Sequence, residues 1–172
     1  MLISNNICLW TNSPWEADPK RANILGNYAN FLANQMQDYT QAEVMYQRAL
    51  EADPKRANIL GNYAKLLFVK QEKSQARQCL EEAEIQPNLH PSLSVELAFY
   101  RYAHCPPHML TLLKQQLQSG ARSIGWNLTH NVHRANADGH PYPDLLAAIA
   151  GVISDGQSVA TLEQFSEWTQ TP

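Results

Sequence analysis

Glu16–Ala29 reads EADPKRANILGNYA, and Glu51–Ala64 reads the same fourteen letters thirty-five residues later. A period of that length marks one supersecondary unit stacked on a copy of itself, since a single unit cannot bury its apolar face alone. Reading outward from the first copy, Pro19 or Lys20 opens a helix that runs to about Gln37. Its apolar residues Ile24, Leu25, Tyr28, Phe31 and Leu32 fall at i, i+1, i+4, i+7 and i+8, which predicts one inward face. Gln37-Asp38 makes a short turn, and a second helix covers about Thr40 to Ala52, with Ala42, Met45, Tyr46, Ala49 and Leu50 on one face. Asp53-Pro54 ends it, because the residue before a proline is driven out of the helical region.

The second copy repeats the plan. One helix is expected from about Lys55 to Val69, with Leu60, Tyr63, Leu66 and Leu67 inward. Another is expected from about Ser74 to Ile85, with Ala76, Leu80 and Ala83 inward, before Pro87. The arrangement resembles the tetratricopeptide repeat. Leu25, Tyr28, Ala29 and Leu32 occupy that family's first-helix positions, and Ala42, Tyr46, Ala49 and Pro54 occupy those of its second. The second copy supplies Leu60, Tyr63, Ala64 and Leu67, then Ala76, Leu80, Ala83 and Pro87. It departs in two places: Leu80 replaces an aromatic residue, and Pro87 arrives one position early. The first copy holds one extra residue in its inner loop, which lengthens its period. Small residues at Ala29, Ala42, Ala64 and Ala76 let paired helices approach closely while large ones interdigitate.

The resemblance covers roughly residues 19–88 and implies an all-α fold, a short right-handed superhelix of antiparallel helix pairs with a C-terminal helical cap. Residues 90–119 read as a degenerate third unit, so that 19–119 forms the repeat region. Pro91 opens its first helix, Ala98 takes the small position, and Pro107 to Gln118 forms its second helix before Gly120. Residues 120–172 read mainly as the cap that a stack needs over its last apolar face. Helices are expected at about Asn127–Ala137, Pro143–Ser154 and Val159–Trp168. Residues 1–18 read as an irregular N-terminal cap in which Pro14 breaks a would-be helix, with Trp10 and Trp15 over the stack end; a truncated array fits the same letters.

The totals narrow the class. The chain has 172 residues, of which 44% are hydrophobic and 17% charged, and a net charge of −3. Its Lys and Arg are scattered, so no basic stripe offers a nucleic-acid footprint. Three cysteines, Cys8, Cys79 and Cys105, lack framework spacing and suit a reducing compartment. The apolar start, MLISNNICLW, has no basic lead and is interrupted by Ser4, Asn5 and Asn6. No apolar run reaches the roughly 18 residues of a membrane span. The expectation is a cytoplasmic protein with no cofactor.

The first helices of such repeats line a concave groove. Asn23, Asn27, Asn30 and Asn34 are expected to face it from the first unit, and Asn58, Asn62 and Lys65 from the second. Asparagine offers both donor and acceptor, which suits a peptide backbone of any sequence. Resemblance to peptide-binding repeat proteins implies that Asn27 and Asn62 form a ladder, with Glu96 at the third equivalent position and breaking the series. Gly26 and Gly61 each cost about 1 kcal/mol of helix stability relative to alanine, which suits close approach on the groove side. Two plainer readings stand beside this one: the duplicated residues are carried along unused, or the C-terminal helices fill the groove. The function expected is therefore a non-enzymatic scaffold or adaptor that binds a peptide or protein segment, without nucleic acid or membrane.

Other constellations give rival readings. His104, Cys105 and His108 lie close in sequence, and His130 and His133 share a helix face, as metal ligands do. Prolines 106 and 107 interrupt the first group, and no carboxylate completes a signature, so no metal site is assigned. No spacing marks Cys79 or Cys105 as a nucleophile with a base, and no catalytic residue is assigned. Arg122, Trp126, Asn127, His130, His133, Arg134 and His140 form a polar, aromatic-bearing segment that reads either as a contact surface or as a cap anchored by Trp126. Self-association through the ends of the stack is the third alternative.

Overall fold

The computed structural model of the protein describes residues 18–171. The reading of residues 1–18 as an irregular cap, including Trp10, Pro14 and Trp15, lies outside them except for Asp18. The described residues form helices and turns with no strand, an all-α fold. They gather into two compact units. The first takes the described residues up to Leu67 together with Glu72–Gln86, and the second takes Phe68–Gln71 with the residues from Pro87 onward.

In the first unit, α1 (Pro19–Phe31) begins on Asp18, whose carboxylate accepts the Arg21 N–H at 3.0 Å. Pro19 sits in the first turn, where its missing N–H costs nothing. The helix then widens into a π turn over Leu32–Met36. Gln37, at φ 54°, reverses the chain, and Asp38 caps α2 (Tyr39–Ala52) by accepting the Gln41 N–H at 3.0 Å. The Asp18 N–H reaches the Ala52 carbonyl at 2.8 Å and closes the open end of the pair. The second copy forms α3 (Ala57–Val69), a reversal at Gln71 with φ 67°, and α4 (Lys73–Glu84). Gln37 and Gln71 are 34 residues apart (71 − 37), one fewer than the repeated stretches. The π turn is where the first copy stores its extra residue.

Identical letters also start their helices differently. The first copy is helical from Pro19, but the equivalent Pro54 lies in a turn, and α3 starts at Ala57. Asp53 has to end α2 as well as open α3. Its backbone is extended, its N–H bonds the Ala49 carbonyl, and the Arg56 N–H returns to the Asp53 carbonyl at 3.3 Å. The tight turn that results uses up the residues that form the first turn of α1.

The buried side of α1 differs from the expectation. Ala22, Gly26, Ala29, Leu32 and Ala33 are buried, whereas Ile24, Tyr28 and Phe31 are exposed and Leu25 is half-buried. The small residues recur at i, i+4, i+7 and i+11, and they make the side that allows close approach. On α2, which packs against α1, Ala42, Tyr46, Ala49 and Leu50 are buried as expected, while Met45 is only half-buried.

The second unit is built on α5 (Pro91–His104), which packs against α6 (Thr111–Gln118), α7 (Thr129–Ala137) and α8 (Pro143–Ser154). Apart from the half-buried Arg101, α5 is buried from Val95 to His104, as befits a helix covered on several sides. Helix α6 starts later than expected because Pro106 and Pro107 lie in the preceding turn. Ser119 ends it, and Gly120 follows at φ 91°, a left-handed conformation that glycine adopts without strain. The last expected helix is two pieces, a 3-10 turn over Val159–Gln164 and α9 (Ser166–Gln170), separated by extended Phe165. Leu162 and Trp168 are buried and hold both pieces down.

Candidate functional site

The groove candidates of the first unit do not share one environment. Asn27 and Asn58 are exposed, Asn23 is half-buried, and Asn62 is buried. Asn30 is engaged inside the helix pair, where its Oδ1 accepts the Tyr46 hydroxyl at 2.5 Å. Its counterpart Lys65 is buried and donates from Nζ to Asn34 Oδ1 at 3.0 Å, which ties α3 to the π turn. Asn30 and Asn34 therefore have structural partners, while Asn27 and Asn58 present their amides to solvent. Glu96 lies in the second unit, buried, and accepts a short hydrogen bond from the Ser123 hydroxyl.

The helical pattern marks Tyr63 only as a packing residue. It is also the polar hub of the first unit. Its ring stacks on Tyr46 with centroids 5.5 Å apart. Its hydroxyl donates to Glu43 Oε1 at 3.0 Å and accepts from Gln47 Nε2 at 3.2 Å and Gln75 Nε2 at 3.1 Å. One donor and two acceptor positions are all that a phenol has, so the group is fully satisfied. Burial pushes the Tyr46 and Tyr63 hydroxyls well above the ordinary phenol range, and both stay neutral near pH 7. The repeat does not mark this hub in the letters, since the equivalent Tyr28 is exposed.

The second unit sorts its histidines into separate settings. His104 is buried, stacks on Phe68 with centroids 4.4 Å apart, and pairs its Nε2 with the Asn131 amide at 3.1 Å. His140 is buried with its ring edge-on to His108 at 4.6 Å. Its Nδ1 accepts the Tyr142 N–H at 3.2 Å and its Nε2 faces the Tyr102 carbonyl at 3.3 Å, a pattern that the neutral ring satisfies. Burial, and then the neighbouring His108, push its pKa below the ordinary histidine value. Among the described residues, no three His, Cys, Asp or Glu side chains converge as a metal ion requires.

A cavity of about 480 Å³ opens beside Trp126, with Val132 and His133 of α7 and Ala147, Ala150 and Gly151 of α8 among its walls. Trp126 is held by its indole N–H, which donates to the Tyr100 hydroxyl at 2.8 Å. The structure thus gathers Trp126, Asn127 and His133 of the polar segment at one cavity. Arg122 instead donates to the carbonyls of Leu117 and Ala121. Among the described residues no helix is long and apolar enough to cross a membrane.

Residues 33–88 match the family profile of the tetratricopeptide repeat. Neither the comparison with curated proteins nor that with solved structures finds a match to the chain.

Proposed function

We propose that this tetratricopeptide-repeat chain is a non-enzymatic adaptor that holds a peptide or protein segment along the first helices of its repeats. The observation that carries the reading is the repeat match over residues 33–88, because such repeats serve as scaffolds for protein interaction. The exposed amides of Asn27 and Asn58 support it, since each offers a donor and an acceptor to a passing main chain. Asn23, Asn62 and Lys65 complete the proposed contact set of the first unit, with Asn30 and Asn34 shaping its wall through Tyr46 and Lys65; Glu96 is proposed as a contact of the second unit by itself. In this reading residues 90–119 are the degenerate third unit and 120–172 the closing cap, supported by the packing of α6, α7 and α8 on α5. Scattered charge supports a protein rather than a nucleic-acid partner, and the cysteine usage a cytoplasmic setting.

The test is capture of a partner from native cell extract by the full chain and by the Asn27→Ala/Asn62→Ala variant, with unfolding midpoints checked. A specific partner retained by the native chain and lost by the variant is the expected result. Asn27→Ala alone, at an exposed position, weakens capture without a folding effect. A partner held equally by all three proteins moves the contact away from the groove.

A further inference from the structure

Helix α1 exposes Ile24, Tyr28 and Phe31 on one stripe, at i, i+4 and i+7. They are 62%, 51% and 49% exposed, and the Tyr28 and Phe31 rings stack with centroids 6.4 Å apart. The equivalent residues of α3, Ile59, Tyr63 and Leu66, are 2%, 1% and 4% exposed. What covers this face in the second copy is visible. Ile59 Cγ1 lies close over Gly26 of α1, 3.1 Å from where a Cβ would stand. Tyr63 stacks on Tyr46 of α2 and bonds Glu43 and Gln47 of the same helix. The protein therefore contains both halves of an interface, and shows one half a second time with nothing of that kind against it among the described residues.

We infer that the Ile24–Tyr28–Phe31 face of α1 docks an amphipathic helix from another protein, one that carries the surface of α2. Its recognisable chemistry is a Glu-x-x-Tyr-Gln series: a tyrosine to stack on Tyr28, and a carboxylate and an amide to satisfy its hydroxyl. A second copy of this chain does not supply that surface, since its own Glu43, Tyr46 and Gln47 already engage its own Tyr63. The inference uses a different side of α1 from the asparagine groove and stands whether or not the groove binds.

The probe is a fluorescently labelled synthetic peptide of Asp38–Asp53, titrated with the full chain and followed by anisotropy. The expected result is saturable binding, at least tenfold weaker for Tyr28→Lys and for a peptide carrying Tyr46→Ala. Ile24→Lys serves as a second variant, and both lysines replace exposed residues, so the unfolding midpoint should hold. No saturation overturns the inference, as does equal binding by both lysine variants, which would mean that the peptide exchanges with α2. Binding that appears only after residues 1–17 are removed overturns it in favour of the chain's own segment. Dimers of the chain alone that Tyr28→Lys dissociates overturn it in favour of self-pairing.

Discussion

Two copies of NILGNYA differ in what surrounds them. In α3 the isoleucine and tyrosine are buried; in α1 they face solvent. The alanines of the two stretches, Ala29 and Ala64, are buried in both. One side of the repeated helix thus serves the packing of its own unit, and the other needs a neighbour. Duplication copies both sides, whether or not the neighbour is copied with them.

The sharpest contrast is the tyrosine pair. Tyr63→Ala should cost about 3–5 kcal/mol, the range for a buried aromatic, since it empties core volume and removes the hydroxyl that Glu43, Gln47 and Gln75 share. Tyr28→Ala should change stability by less than about 0.5 kcal/mol, as an exposed substitution does. Urea unfolding of the two variants reads this directly, and equal losses would break the comparison.

Asn30 sharpens it in the polar layer. Asn30→Ala leaves the buried Tyr46 hydroxyl without its 2.5 Å acceptor and should cost about 1–3 kcal/mol. The equivalent position in the second copy is Lys65, which bonds Asn34 instead, so sequence equivalence does not carry the role across. Unchanged stability in Asn30→Ala by thermal melting would contradict the role assigned to this bond.

Gly26 tests the contact between copies. An alanine gains about 1 kcal/mol of helix propensity but must push Ile59, which is packed and cannot swing away. Gly26→Ala should therefore be destabilising by about 1 kcal/mol. Ile59→Ala, which removes the contacting Cγ1 and costs about 2–5 kcal/mol alone, should cancel that loss in the double variant. Simple additivity in the double-mutant cycle would mean that the two residues do not touch.

The smallest expected effect separates the repeats from the second unit. Residues 18–86 contain no histidine, whereas buried His140 has a lowered pKa. The unfolded chain then binds more protons just below the ordinary histidine value of about 6.5. The stabilising contribution of neutral His140 is present above that pH and lost as pH falls through the folded pKa. His140→Gln should reduce the fall in melting temperature between pH 7.5 and 5. A wild-type slope in the variant would assign the pH dependence elsewhere.

Helix order and most turns are legible in the letters because they depend on local chemistry: Gln37-Asp38 as a turn, Pro19 and Pro91 at helix starts, Gly120 after α6; that Asp18 and Asp38 cap their helices is seen only in the structure. The apolar stripe Ile24, Tyr28 and Phe31 is legible too, but its burial is not, since periodicity marks a face without saying what covers it. The π turn and the later start of α3 escape for a related reason: each depends on how the chain enters and leaves the segment. For the groove, the letters place asparagines at equivalent positions. That Asn30 and Asn34 are already engaged depends on where Tyr46 and Lys65 reach across.

The most direct measurement is hydroxyl-radical footprinting of the full chain, with tryptic fragments sequenced by mass spectrometry. Cleavage after Arg21 and Arg56 places the two copies in different fragments, Ala22–Arg48 and Ala57–Lys65. Strong labelling is expected at Tyr28 and Ile24, with Tyr63 and Ile59 protected. Equal protection of the two tyrosines would contradict it, and would mean that the first copy is covered as fully as the second.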